Sequence, residues 1–195
     1  RVEELKIFGP AGNEMMPSAI EYLSRVIGEE GAYTYLSPYL VKKGRAKYKV
    51  SATNVPIKKN ESSHYSIAQG IKASATAVDH GPIAAVSWRI EVENCSIVFS
   101  GDMTNRFNVL EKFAKDADIL VASNSIPEKA SKRAKTLHMP PSEIGLIAKK
   151  SQVKKLVLSH FFKRTLSTQK ESLSTIKKVF DGNVVLANDG LTIEP

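Results

Sequence analysis

The stretch Ile97-Val98-Phe99-Ser100-Gly101-Asp102 decides how the rest of the chain reads. Three apolar, strand-forming residues run straight into Ser-Gly-Asp, so a strand ends where a carboxylate begins, and the glycine frees the backbone to turn beside it. The pattern recurs on both sides. Ala77-Val78-Asp79-His80 closes one apolar run with an imidazole, and Leu156-Val157-Leu158-Ser159-His160 closes another. In layered α/β folds the loops at one sheet edge collect polar groups, so side chains far apart in sequence converge there. Imidazole plus carboxylate is the donor set of zinc, manganese or iron, and a carboxylate can bridge two such ions. Taken singly, each motif is an ordinary polar strand end; their order and shared context point to a metal.

Around this frame, apolar periodicity alternates between strand-like and helix-like segments, the pattern of an α/β layered domain. Residues 5–8 read as a short strand stopped by Gly9-Pro10, and 17–28 as a helix with Ile20, Leu23, Val26 and Ile27 on one stripe. Residues 33–59 read as basic and irregular. Strands are expected at 71–78, 84–92, 96–99, 118–122 and 155–158, with helices at 107–115 and, from an N-cap at Ser142, to Lys150. Thr168-Gln169-Lys170-Glu171 has capping-box spacing and should open a helix to Phe180. Residues 184–187 and 191–193 are expected to pair as a hairpin across Asn188-Asp189-Gly190.

Composition narrows the function classes. The 195 residues carry 28 basic and 20 acidic side chains, a net charge of +8 at pH 7, and at 42% hydrophobic and 25% charged they match a globular domain and not a disordered, collagenous or coiled-coil chain. No apolar run approaches the roughly 18 to 20 residues of a membrane-spanning helix, so no membrane partner is expected. A lone Cys95 excludes an internal disulfide and a cysteine zinc cage, and suits the reducing cytoplasm. The positive charge is concentrated: Lys42, Lys43, Arg45, Lys47, Lys49, Lys58 and Lys59 fall between residues 42 and 59 without one acidic residue. Such a stretch attracts RNA or a phosphorylated substrate, with Lys42, Lys43, Lys47 and Lys49 as candidate substrate-binding residues. The alternative is a solvated loop kept soluble by its charge. His64, in the polar run 60–65, reads as a surface loop residue.

Taken in order, Phe8-Gly9-Pro10, Val78-Asp79-His80, Ile97 to Asp102, Asp116-Ala117-Asp118-Ile119-Leu120-Val121, His138 with the helix end Ala148-Lys149-Lys150, and Val153-Lys154-Lys155-Leu156-Val157-Leu158-Ser159-His160-Phe161 resemble the metallo-β-lactamase superfamily. Within it the resemblance is to ribonuclease Z and related phosphodiesterases and arylsulfatase-like hydrolases, and it runs from about Leu5 to the end. It implies an α/β fold, the metallo-β-lactamase-like αββα sandwich with its carboxy-terminal two-thirds present, as a single domain over residues 1–195 that is incomplete at its amino end. It implies hydrolysis of a phosphate ester, RNA among the options, at a dinuclear site of zinc, with manganese or iron as alternatives. His80 and His160 would each be a terminal ligand to one ion, and Asp102 the bridging carboxylate. His138 matches a histidine that assists the scissile phosphate and leaving group, and is the candidate catalytic acid. A homodimer is also implied.

The departures matter equally. The superfamily's principal motif, His-x-His-x-Asp-His, does not occur in this sequence; Asp79-His80 imitates its last two residues, but Ala75 and Ala77 stand where its leading histidines would fall. Two expectations follow. Either a segment bearing the motif precedes Arg1, or the chain is a metal-free relative that uses its basic surface for binding or scaffolding. Met139-Pro140-Pro141 also replaces the small hydroxyl pair that follows the ribonuclease Z histidine, which sets His138 apart from its counterpart.

Overall fold

Residues 3–58 and 61–194 are described by the structure, a computed structural model, and they fall into two units. The first comprises residues up to 57 together with 82–84; the second comprises 58–81 and the chain from 85 onward. Of the basic stretch, Lys59 lies outside the described residues.

In the first unit, strand β1 (Leu5–Pro10) ends at its proline, and helix α1 (Ala19–Ile27) follows. Ser18 and Glu21 form a reciprocal cap at the start of α1: the Ser18 hydroxyl accepts from the Glu21 amide at 3.2 Å, and the Glu21 carboxylate accepts from the Ser18 amide at 2.8 Å. Those bonds hold the Glu21 carboxyl below its ordinary range. The segment expected to be irregular is not. A 3-10 turn (Thr34–Leu36) leads into a short helix α2 (Pro38–Val41), opened by a proline whose missing N–H costs nothing there. Strand β2 (Val50–Val55) then pairs in parallel with β1, Leu5 opposite Val50, and α1 packs on both strands. Val50 and Val55 are the buried ends of β2, and the charged residues just before them hid that strand from periodicity.

The second unit is built on a seven-stranded sheet whose order follows the sequence: β3 (Ser62–Ala68), β4 (Ile71–His80), β5 (Ile83–Val92), β6 (Cys95–Phe99), β7 (Ile119–Ser123), β8 (Lys155–Ser159) and β9 (Asn183–Leu186). β3 runs antiparallel to β4 and β5 antiparallel to β6, whereas β6 to β9 are all parallel. Crossovers between the parallel strands carry helix α3 (Val109–Phe113), then α4 (Lys132–Lys135) and α5 (Pro141–Lys150), then α6 (Lys163–Leu166) and α7 (Gln169–Lys177). Val98, Leu120, Ala122, Leu156 and Leu158 form one core with Leu110, Ala114, Ile144, Ile147, Ala148, Ile176 and Phe180 from those crossovers. The spacing of two within Leu120/Ala122 and Leu156/Leu158 is the strand alternation that turns one sheet face to the helices. At the opposite end from the site described below, Asp118 ties β7 to β6. It accepts from the Ser96 amide at 2.7 Å and the Ser96 hydroxyl at 3.0 Å and meets Lys154 Nζ at 2.7 Å, so its pKa falls to about 2, the Lys154 bond being the largest cause. Among the described residues no helix is long and apolar enough to cross a membrane.

Several local expectations are corrected. His64 lies on β3, its ring Nδ1 2.9 Å from the Ser74 hydroxyl, so residues 62–65 of the polar run are strand and not loop, while Asn60 lies outside the described residues. Pro140, not Ser142, occupies the N-cap of α5; the Ser142 amide and hydroxyl both donate to the Glu128 carboxylate. Thr168 precedes α7 without capping it, because its hydroxyl points back to the carbonyls of Arg164 and Thr165. The carboxy-terminal hairpin is absent among the described residues. β9 finds its partner in the parallel β8, and the segment around Leu191 to Ile193 is not a strand.

Candidate metal centre

The second unit brings polar side chains together at the carboxyl ends of its parallel strands, where α/β sheets place their sites. Asp102 follows β6, Ser123 ends β7 and His160 follows β8, while His80 ends β4 and His138 precedes α5. The turn before Asp102 holds a positive φ. Gly101 sits at φ +63°, and a Cβ there would come within 2.9 Å of the Val86 carbonyl oxygen, so this turn demands glycine. Thr104 folds back onto the end of β4, its amide donating to the Asp79 carbonyl at 2.7 Å, which draws Asp102 and His80 into one neighbourhood.

His80, Asp102 and His138 offer ligand atoms all within 4.8 Å of one another. Both imidazoles are buried, and their ring centroids are 5.0 Å apart. His80 Nδ1 lies 2.7 Å from the Leu137 carbonyl oxygen. A carbonyl can only accept, so Nδ1 carries the proton and Nε2 presents its lone pair, the tautomer a metal ligand needs. His138 Nδ1 is buried, has no hydrogen-bond partner among the described residues and stands 3.7 Å from Asp102 Oδ1. A buried, unpaired ring nitrogen beside a carboxylate is costly in an apolar setting, and a cation would satisfy both. Burial holds the His138 pKa below the ordinary histidine value; the Asp102 carboxylate pulls it up, and His80, Arg164 and His160 push it further down. An N,N,O donor set of this kind fits zinc, manganese or iron.

His160 joins through the other carboxylate oxygen, its Nε2 3.2 Å from Asp102 Oδ2, with about half of its side chain exposed. Its backbone is left-handed, at φ +55°, a conformation that costs a non-glycine residue of order 1 kcal/mol and that clusters at functional sites. Asp102 therefore faces a different imidazole with each oxygen. It is itself held: the Ser123 hydroxyl donates to Oδ1 at 2.5 Å, and the Ser125 hydroxyl lies 2.7 Å from that of Ser123. Sequence alone does not single out Ser123 and Ser125, because a serine at a strand end is generic. The one available signal is the polar run Ser123-Asn124-Ser125 directly after Ile119-Leu120-Val121-Ala122. Asn124 is fully buried, and neither its side-chain nitrogen nor its side-chain oxygen has a hydrogen-bond partner among the described residues.

Of the candidate substrate-binding lysines, Lys42, Lys43, Lys47 and Lys49 belong to the first unit and are exposed; Lys42 caps α2 in a left-handed conformation, and Lys49 meets Glu4 at 3.8 Å. The stretch therefore borrows an acid from outside itself.

No protein-family model matches the chain. A ribonuclease Z of Methanosarcina acetivorans is 35% identical over 100 residues, which is 51% of this chain and 32% of the relative, so the match spans about a third of that protein. Among solved structures, the metallo-β-lactamase fold protein YhfI of Bacillus subtilis superposes with a TM-score of 0.67 at 19% identity, covering 96% of this chain and 64% of its own. The short form of human tRNase Z gives 0.63 at 16% identity, covering 97% and 66%. The mixed α/β architecture with its large sheet is thus the metallo-β-lactamase fold. The chain thus has the metallo-β-lactamase fold and, over about half of its length, is similar in sequence to part of ribonuclease Z.

Proposed function

We propose that the chain carries part of the active site of a metal-dependent hydrolase that cleaves phosphodiesters, RNA foremost. The observation that supports this most is the convergence of His80, Asp102 and His138, with His160 on the second oxygen of Asp102, at the strand ends of a chain similar to ribonuclease Z. In this reading His80, Asp102 and His160 would hold the divalent ions, with zinc the first choice. When bound, such ions polarise a phosphoryl oxygen and lower the pKa of water. The chain's own work is ligand geometry. Ser123 orients the Asp102 carboxylate, the Leu137 carbonyl fixes the His80 tautomer, and the left-handed backbone at His160 aims its ring at Asp102.

His138 is the proton donor for the leaving alkoxide in this scheme. Its imidazolium would form beside Asp102, whose negative charge offsets part of the burial penalty. The tight grouping of His138 with His80 and Asp102 favours a second reading, in which it is a ligand. His138→Ala separates them. A donor's loss slows an alkyl phosphodiester far more than a nitrophenyl ester and leaves metal content intact; a ligand's loss removes metal and both activities together.

The function itself is tested by incubating the protein with RNA and with a small nitrophenyl phosphodiester, with added Zn²⁺ or Mn²⁺ and then with chelator. Hydrolysis of both substrates that requires the metal is expected. Hydrolysis that survives chelation contradicts the reading, and protein that takes up no metal and is inert toward both substrates turns it toward the metal-free binding module.

A further inference from the structure

Residues 31–57 contain the tyrosines Tyr33, Tyr35, Tyr39 and Tyr48, the cations Lys42, Lys43, Arg45, Lys47 and Lys49, and no aspartate or glutamate. The tyrosines divide into two kinds. Tyr39 and Tyr48 are half-buried against each other, ring centroids 5.0 Å apart, and join α2 to the approach of β2; their role is to fix the loop that bears the cations. Tyr33 and Tyr35 are different. They are 52% and 73% exposed and touch edge to face, with centroids 6.2 Å apart at 89°. Packing inside this unit does not explain large rings left in water.

Their placement beside the cations suggests an occupant. Tyr35 lies in the 3-10 turn, and Lys42 follows directly after α2, seven helical or near-helical steps on. At about 1.5 to 2 Å per residue that separation is at most about 14 Å, within the span of a few stacked nucleotides. Lys42, Lys43, Arg45 and Lys47 are all exposed in the left-handed turn and loop that follow. Exposed aromatic rings within a short stretch of a cluster of exposed cations are the components of a single-strand nucleic-acid platform: bases stack on the rings, and the phosphates run along the cations.

We infer that Tyr33 and Tyr35, with Lys42, Lys43, Arg45 and Lys47, form a stacking platform for an unpaired segment of RNA. This rests on the RNA reading above and sharpens it to single-stranded substrate, read without base specificity. A duplex keeps its bases stacked on one another and offers the rings nothing.

The test is fluorescence anisotropy of the protein with a short labelled single-stranded oligoribonucleotide and with a hairpin duplex of equal length. Tyr35→Ala should weaken single-strand binding about tenfold, and Tyr35→Phe, which keeps the ring, should stay within about twofold of the wild type. Binding of the duplex should change little in either variant. The salt slope should survive Tyr35→Ala and flatten in Lys42→Ser/Lys43→Ser, because only the latter removes cations that neutralise phosphates. Equal losses in the Ala and Phe variants, undiminished binding in Tyr35→Ala, or no single-strand binding at all would each overturn the platform. Metal-dependent hydrolysis of a small phosphodiester, which needs no stacking, reports separately on the hydrolase reading, so the two can fail independently.

Discussion

The group at His80, Asp102, His138 and His160 and the basic stretch around residues 42–49 use charge in opposite ways. At the first, three of the four groups are held by something else: His80 by the Leu137 carbonyl, Asp102 by Ser123, His160 by a left-handed backbone. The side chains sit at strand ends over a packed core, so their geometry is fixed before anything binds. The second is a set of exposed cations on a turn and loop. It works by attraction at a distance, and its geometry is set only as far as α2 and the Tyr39–Tyr48 contact set it. A preorganised centre should answer to the loss of one atom, and an exposed patch to salt.

Among residues that only support the site, the largest effect is expected from that kind of one-atom loss. Ser123→Ala deletes the hydroxyl that fixes Asp102 Oδ1 and should weaken divalent-ion binding by about 10- to 100-fold, with Ser123→Thr restoring much of it. Calorimetric titration decides it. Unchanged affinity in Ser123→Ala would mean the carboxylate needs no positioning and would erase half of the contrast.

A smaller effect is expected far from the site, where Asp118 joins β6 to β7. Asp118→Asn should lower stability by about 1 to 2 kcal/mol in urea unfolding at neutral pH. The sign with pH follows from a folded pKa of about 2, below that of an unfolded aspartate. The contribution is complete above about pH 4 and is lost as the pH falls toward 2, so wild type and variant should converge there. A gap that persists in acid would assign the effect to packing and not to the charge.

The smallest change per residue is expected at the basic stretch. Replacing Lys42, Lys43, Lys47 and Lys49 by Ser should flatten the log–log salt dependence of RNA binding by about 0.7 for each phosphate no longer neutralised, while a small phosphodiester is hydrolysed as before. Identical slopes would reduce the lysines to solubilising charge.

The same contrast explains what could be read from the sequence. Strands β4 to β8 are legible because they are apolar runs cut by turn residues, and the three side chains at their ends, His80, Asp102 and His160, stand out by residue type, whereas His138 is reached only through the family resemblance. β2 and β3 are not legible: Val50 and Val55 stand behind a run of lysines, and β3 is an exposed edge of serines, His64 and Tyr65 with little apolar signal. The carboxy-terminal hairpin failed for another reason. Asn188-Asp189-Gly190 is good turn chemistry, but β9 had a better partner in the buried β8, a choice made by tertiary packing. At the site, residue type pointed to the imidazoles and the carboxylate, whereas the tautomer of His80, the serine pair behind Asp102 and the backbone strain at His160 exist only in three dimensions.

The most direct measurement is a calorimetric titration of the protein with Zn²⁺, wild type against Asp102→Asn, with thermal unfolding as a control for folding. Asp102 is the one residue that both His138 and His160 face, so wild type should bind the ion and Asp102→Asn should bind more than about 100-fold more weakly while remaining folded. Equal affinity in a folded Asp102→Asn protein, or no binding by the wild type, would contradict a metal centre built on these strand ends.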